Sequence, residues 1–260
     1  MIIYFSGTGN TRFCAGELAS LLGDSVLEIT GEMLSCPDRH TITVPESDTR
    51  IIWMFPVYSW GIPVKIRRMM ARINISADAN RLTNWMVCTC GDDIGRTARL
   101  WRRTMHRRGL QTAGAFSVQM PNTYVFMKGF NVDSRQVEDA KVSAAHSRLR
   151  HIALVIAKGD AVADDTVPGS FAMIKTAVIR PYFNAFCTSA KPFHPTDKCV
   201  SCGKCAKSCP MENIVMADGK PVWGKNCLLC SRCYHICPEH AVAYGKTTAN
   251  KGQFRRFLKK

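Results

Sequence analysis

The chain has 260 residues, 46% of them hydrophobic and 21% charged, with a formal net charge of +15. That composition belongs to a globular protein and excludes disordered and fibrous classes; the length suits one large domain or two small ones. The opening MIIYFSGTGN lacks the basic and apolar regions of a secretory leader, and no apolar run approaches the ~20 residues of a membrane span. A cytoplasmic protein without membrane association is therefore expected.

Residues 1–160 alternate strand and helix signals. Ile2–Phe5 is a short apolar strand, and Asn10–Leu22 spaces Phe13, Cys14, Leu18, Leu21 and Leu22 near a helical period. Val26–Ile29 reads as a second strand, Arg50–Tyr58 as a third, Thr83–Cys90 as a fourth and Ala113–Met120 as a fifth. Pro63–Arg72 suits a helix with proline at its first turn, and Asp93–Arg108 suits another. Asp133–Lys158 reads as the longest helix, with Asp133 expected as N-cap and Gly159 as its stop. This alternation predicts an α/β fold, a doubly wound parallel sheet covered by helices on both faces. Residues 161–196 read as a connector, broken by Val167-Pro168-Gly169 and by Lys191-Pro192. Phe171–Phe186 inside it is apolar enough to dock on the rest of the chain.

Residues 197–245 contain an internal repeat. The chain has thirteen cysteines, and eight of them lie between Cys199 and Cys237. Cys199, Cys202, Cys205 and Cys209, followed by Pro210, recur 28 residues later as Cys227, Cys230, Cys233 and Cys237, followed by Pro238. In a reducing cytoplasm, clustered cysteines act as metal ligands more often than as disulfides. Structural zinc uses separated C-x2-C pairs, whereas each half here reads C-x2-C-x2-C-x3-C-P. Asp218-Gly219 signals a hairpin turn. A module of about 50 residues has too little core to stand alone and needs metal staples. The two runs resemble those of two-cluster bacterial ferredoxins. The resemblance implies two 4Fe-4S clusters, with the fourth cysteine of each run ligating the other cluster. One set would be Cys199, Cys202, Cys205 and Cys237; the other Cys227, Cys230, Cys233 and Cys209. Six Lys or Arg against four acids set this segment apart from the acidic free ferredoxins.

The turn Ser6-Gly7-Thr8-Gly9-Asn10-Thr11 joins the first strand to the first helix. Free N–H groups and the positive dipole end at a helix start favour an anion, Gly7 and Gly9 allow close approach, and the hydroxyls of Ser6, Thr8 and Thr11 add donors. Ile2 to Thr11 resembles the flavodoxin signature. That resemblance implies a sheet ordered 2-1-3-4-5 with FMN at the carboxyl ends of its strands. The isoalloxazine ring would then be gripped by Pro56, Tyr58, Ser59, Trp60 and Gly61 after the third strand, and by Thr89, Cys90, Gly91 and Asp92 after the fourth. Tyr58 or Trp60 would stack on the ring, and Tyr124 would close the site. The whole chain resembles flavodoxin–ferredoxin fusion proteins of anaerobes. It is then expected to pass electrons between two 4Fe-4S clusters and FMN. A flavin-dependent reductase of a small molecule and a non-catalytic iron–sulfur redox sensor are the alternatives.

Arg96, Arg99, Arg103 and Arg107 repeat at helical spacing, a solvated face or a dock for an acidic redox partner protein. Residues 246–260 form a basic tail, expected to dock on its own protein or fray. Cys14 belongs to an apolar helix face, and Cys88 and Cys90 share one strand face. His235, between Cys233 and Cys237, is expected as an exposed loop residue. No nucleic-acid-binding motif appears.

Overall fold

The computed structural model describes residues 1–77 and 81–258; Lys259 and Lys260 of the tail lie outside the described residues. In chain order the first half runs β1 (Ile2–Tyr4), α1 (Asn10–Leu22), β2 (Val26–Glu28), α2 (Gly31–Ser35), β3 (Thr41–Thr43), β4 (Arg50–Pro56), α3 (Val64–Arg72), β5 (Asn74–Ser76), β6 (Thr83–Cys90), α4 (Thr97–His106), β7 (Thr112–Gln119) and α5 (Arg135–Lys158). Strands β2-β1-β4-β6-β7 form one five-stranded sheet, parallel throughout. Numbered among themselves, these strands run 2-1-3-4-5, the flavodoxin-like order.

Strands β4 and β6 are buried on both faces, which is why they read as continuous apolar runs rather than alternating ones. Alternate side chains serve opposite layers. Trp53, Phe55, Met86 and Cys88 pack with Ile66, Met69, Trp101 and Met105 of α3 and α4. Ile52, Met54, Trp85 and Val87 pack with Leu18, Leu149 and Ile152 of α1 and α5. Each large side chain removed from water contributes about 1.5–3 kcal/mol, so the central strands dominate this half's stability.

Two local expectations change, and one element is new. The cap of α5 is Ser134, whose side chain accepts a hydrogen bond from Val137 N. Asp133 instead receives Asn122 N at 2.9 Å and Lys141 Nζ at 2.8 Å, which ties the loop after β7 to α5. Helix α4 begins at Thr97 rather than Asp93, because Gly95 takes a left-handed φ of 56° and Asp93 turns away to Lys175. A second, two-stranded parallel ribbon pairs β3 with β5.

The second half runs α6 (Ala172–Ile174), a π-helical turn (Lys175–Ile179), α7 (Arg180–Phe186), β8 (Phe193–Pro195), α8 (Lys204–Lys207), β9 (Ile214–Ala217), β10 (Lys220–Trp223), α9 (Arg232–Ile236) and β11 (Val242–Tyr244). Strands β9 and β10 form an antiparallel hairpin, turned by Asp218 and Gly219 with φ of 49° and 73°. Strands β8 and β11 form another antiparallel pair. Phe193, Ile214, Tyr234 and Val242 make the core here, and Val125 and Phe126 from the loop after β7 pack into it. The two halves thus share one apolar cluster.

The arm from Phe171 to Phe186 is docked by its polar side. Thr176 and Arg180 are buried, while Phe171, Met173, Ile174, Val178, Ile179, Tyr182 and Phe186 face outward. The polar residues face inward because the sheet's loops offer them carbonyl and carboxylate partners. No helix among the described residues is long and apolar enough to cross a membrane.

Two cysteine cavities and a filled cradle

The cysteines sort into two cavities. Cys199, Cys202, Cys205 and Cys237 line one, together with Val200, Met216, Pro221 and Val242. Cys209, Cys227, Cys230 and Cys233 line a second, together with Phe193, Ile214, Leu228 and Trp223. Each cavity therefore takes three cysteines from one run and the last cysteine of the other. Helices α8 and α9 are the reason. Each begins between the second and third cysteine of its run, after a left-handed residue, Gly203 at φ 68° or Ser231 at φ 59°. The short helix turns the third cysteine into its own cavity and delivers the fourth toward the neighbouring one.

The donor set suits a cluster more than a single ion. A tetrahedral zinc site needs its sulfurs about 2.3 Å from one point, and no three His, Cys, Asp or Glu among the described residues converge in that way. The thiols ring a space instead. Backbone N–H groups of Asn213, Leu229 and Ala241 point at the sulfurs of Cys209, Cys227 and Cys237, at 3.4, 3.2 and 3.2 Å. Burial raises the Cys205, Cys227 and Cys233 thiols and pushes Cys230 up to about 12. These thiols stay protonated until a metal supplies the compensating charge.

The Ser6–Thr11 loop lies where the sequence puts it, between β1 and α1. Its surroundings differ from a phosphate site. Ser6, Thr8, Asn10 and Thr11 are all buried. Ser6 Oγ accepts from Gly9 N at 3.1 Å, Thr8 Oγ1 donates to Thr123 Oγ1 at 3.3 Å, Asn10 Nδ2 donates to Pro121 O at 2.8 Å, and Thr11 and Thr89 share a 2.7 Å hydroxyl bond. Arg232 donates to Ser6 O at 2.6 Å and to Gly7 O. A Cβ at Gly7 would lie 2.7 Å from Tyr58 Oη and 2.9 Å from Cys230 Cβ; one at Gly9 would collide with Phe257 O.

The ring-gripping loops are closed in the same manner. Tyr58 lies against Gly7 and Cys230, and burial raises its phenol well above the ordinary value. Ser59 and Trp60 adopt left-handed φ of 46° and 53°, and Tyr58 N donates to Gly61 O at 3.0 Å, so Pro56–Gly61 curls into a turn. Lys175 sits 5.3 Å over the Trp60 ring, and Thr176 donates to Trp60 O. Arg180 crosses Gly61, where a Cβ would stand, to reach Ile62 O at 2.7 Å. The Asn122 side chain covers Gly91. Cys90 is buried, and burial, then Asp92 and Asp93, pushes its thiol up to about 12, which leaves it inert. Asp92 points into solvent, with a distant Lys141 partner. Tyr124 packs edge-on against Phe126, Phe130 and Phe183 instead of closing a ligand site. The residues present do not fit FMN in this arrangement, because the chain's own side chains occupy the crevice.

Two residues that close the crevice were not singled out by the sequence reading: Arg180 and Arg232. His235 is fully buried, contrary to the expected exposed position. Its Nε2 donates to Thr123 O at 2.8 Å and its Nδ1 accepts from Phe254 N at 3.1 Å; burial lowers its pKa to about 4. One neutral tautomer satisfies both bonds. The aromatic residues spaced through the basic tail were the one signal that it docks, and Phe254 is indeed buried.

Residues 198–242 match the family model described as a 4Fe-4S dicluster domain. The chain joins a flavodoxin-like sheet to a 4Fe-4S dicluster segment. No curated protein matches the chain. Among solved structures, a flavodoxin of Fusobacterium nucleatum bound to flavin mononucleotide is 13% identical, with a TM-score of 0.39 over 61% of this chain and 96% of that one. A structure titled flavone reductase is 15% identical, with a TM-score of 0.38 over 89% of this chain and 86% of its own. The rubredoxin oxygen:oxidoreductase of the anaerobe Desulfovibrio gigas is 15% identical, with a TM-score of 0.38 over 68% of this chain. The match spans 36% of that longer protein. These likenesses are weak, and the fold rests on the strand order itself.

Proposed function

We propose that this chain is a one-electron carrier holding two 4Fe-4S clusters, one in each cysteine cavity. The observation that carries the reading is the crossed lining, three cysteines of one run with the fourth of the other in both cavities. Cys199, Cys202, Cys205 and Cys237 would hold the first cluster, and Cys209, Cys227, Cys230 and Cys233 the second. A bound cluster supplies a one-electron couple whose potential depends on burial and on hydrogen bonds to its sulfurs.

The chain's residues set those conditions differently at the two sites. Phe193, Trp223 and Leu228 shield the second cavity, and two N–H groups reach its sulfurs. The first cavity opens to the surface through exposed Cys202 and Val200, with exposed Lys204 and Glu239 at its rim. The first site is therefore where a partner would exchange electrons, and the net positive charge of the chain suits an acidic one. Exposed Arg99 and Arg103 on α4, with Arg107 just beyond its end, carry further positive charge on the other half of the chain. A reducing cytoplasm suits unpaired thiols and belongs to this proposal. No step runs through FMN.

Anaerobic reconstitution, iron and sulfide assay and a reductive titration followed by electron paramagnetic resonance test the reading. It predicts roughly eight iron and eight sulfide per chain with two one-electron steps. Stoichiometric zinc, or iron that cannot be reduced, would overturn it.

A further inference from the structure

We propose that the Ser6–Thr11 cradle is a socket for the chain's own C-terminal half, occupied by Arg232 and the Phe254–Phe257 stretch, and that this chain carries no FMN. The proposal stands apart from the electron-transfer reading, since clusters can be present with or without flavin.

A phosphate cradle works by presenting open donors to an anion. What reaches this loop is a cation. The Arg232 guanidinium donates to Ser6 O and Gly7 O across more than two hundred residues of sequence. It is spent on the carbonyl side of the loop. The hydroxyls that would serve a phosphate are engaged with Gly9, Thr89 and Thr123. The glycines have another explanation. Gly7 admits Tyr58 and Cys230, and Gly9, at φ 98°, admits the Phe257 backbone.

The tail is fastened at several points. Arg12 donates to Phe257 O, and the Phe257 ring stacks on Phe13 at 4.4 Å and 15°. Upstream, Phe254 N donates to His235, which donates in turn to Thr123 O beside the cradle. Lys251 adds a bond to Val125 O at 2.8 Å. FMN could enter only by displacing Tyr58, the Cys230 segment and the tail together. Because Arg232 lies between Cys230 and Cys233, the socket also holds the loop of the second cavity.

The test uses the cluster-loaded full chain and two variants, Arg232→Gln and Phe257→Ala, the second of which leaves the cysteine loops untouched. Flavin fluorescence follows added FMN, and amide hydrogen exchange follows residues 6–12. The native chain is expected to give no saturable FMN quenching. Each variant should speed exchange in residues 6–12 roughly tenfold or more, the effect of losing a buried charged bond or stacking anchor. Arg232→Gln should also alter the magnetic signature of the second cluster while sparing the first. Saturable binding of FMN by the native chain, or unchanged exchange in 6–12 in both variants, would overturn the proposal, and iron content reports separately on the electron-transfer reading.

Discussion

Two loop systems in this chain carry sequence patterns suited to binding, and the fold treats them differently. The cysteine runs ring two cavities. The Ser6–Thr11 turn keeps its place at the start of α1 but is buried under Arg232, Tyr58 and the tail. The difference follows from where each motif keeps its chemistry. A cysteine run holds it in its own side chains, at spacings set by the local chain. A phosphate cradle works through space left open above it, and that space is decided by whatever packs across from elsewhere in the sequence.

The largest expected effect separates the two cavities. Cys237→Ser removes the fourth thiol from the cavity of Cys199, Cys202 and Cys205, although it sits in the other run. Iron should fall from roughly eight to roughly four per chain, with the second cluster's signal retained. Loss of the signal from its own run instead would break the crossed assignment.

Next comes the cradle. In an open phosphate site, Gly9→Ala would weaken a ligand and cost only the strain of its left-handed backbone. Here the added methyl meets Phe257 at a left-handed backbone position, so a loss of about 2–4 kcal/mol is expected from strain and overpacking. Chemical denaturation of the loaded protein measures it.

His235→Leu tests the tail's fastening. It orphans Phe254 N and removes one of two donors to Thr123 O, which keeps Ser231 Oγ, at about 1–3 kcal/mol, and should raise exchange in residues 251–258 without changing iron content.

The smallest effect lies at the loop that carries Asn122 over Gly91. Burial alone would raise the Asp133 carboxyl, but hydrogen bonds from Lys141 and Asn122 outweigh it and hold the group below the ordinary 3.8. Its contribution is complete above that value and is lost as pH falls through the lowered folded value. Asp133→Asn should lower stability at neutral pH and flatten this part of the acid limb in a stability-versus-pH series.

The legible parts of the chain were those with short-range causes. Asn10–Leu22 emerged with the bounds its periodicity indicated, Gly159 stops α5, and Asp218-Gly219 turns a hairpin. The three-residue strands β3 and β5 are too short to show a period. Asp133 and Ser134 are both good caps, and only the position of Asn122 decides between them. The filling of the cradle had no local signal at all: Arg232 and Ser6 are 226 positions apart, and His235 becomes a core residue only because the tail and the Thr123 loop meet over it.

Native mass spectrometry of the anaerobically purified full-length chain tests the central contrast most directly, since it counts clusters and flavin in one spectrum. The account predicts a single species carrying two 4Fe-4S clusters and no FMN. A species carrying one FMN, or zinc in place of the clusters, would contradict it.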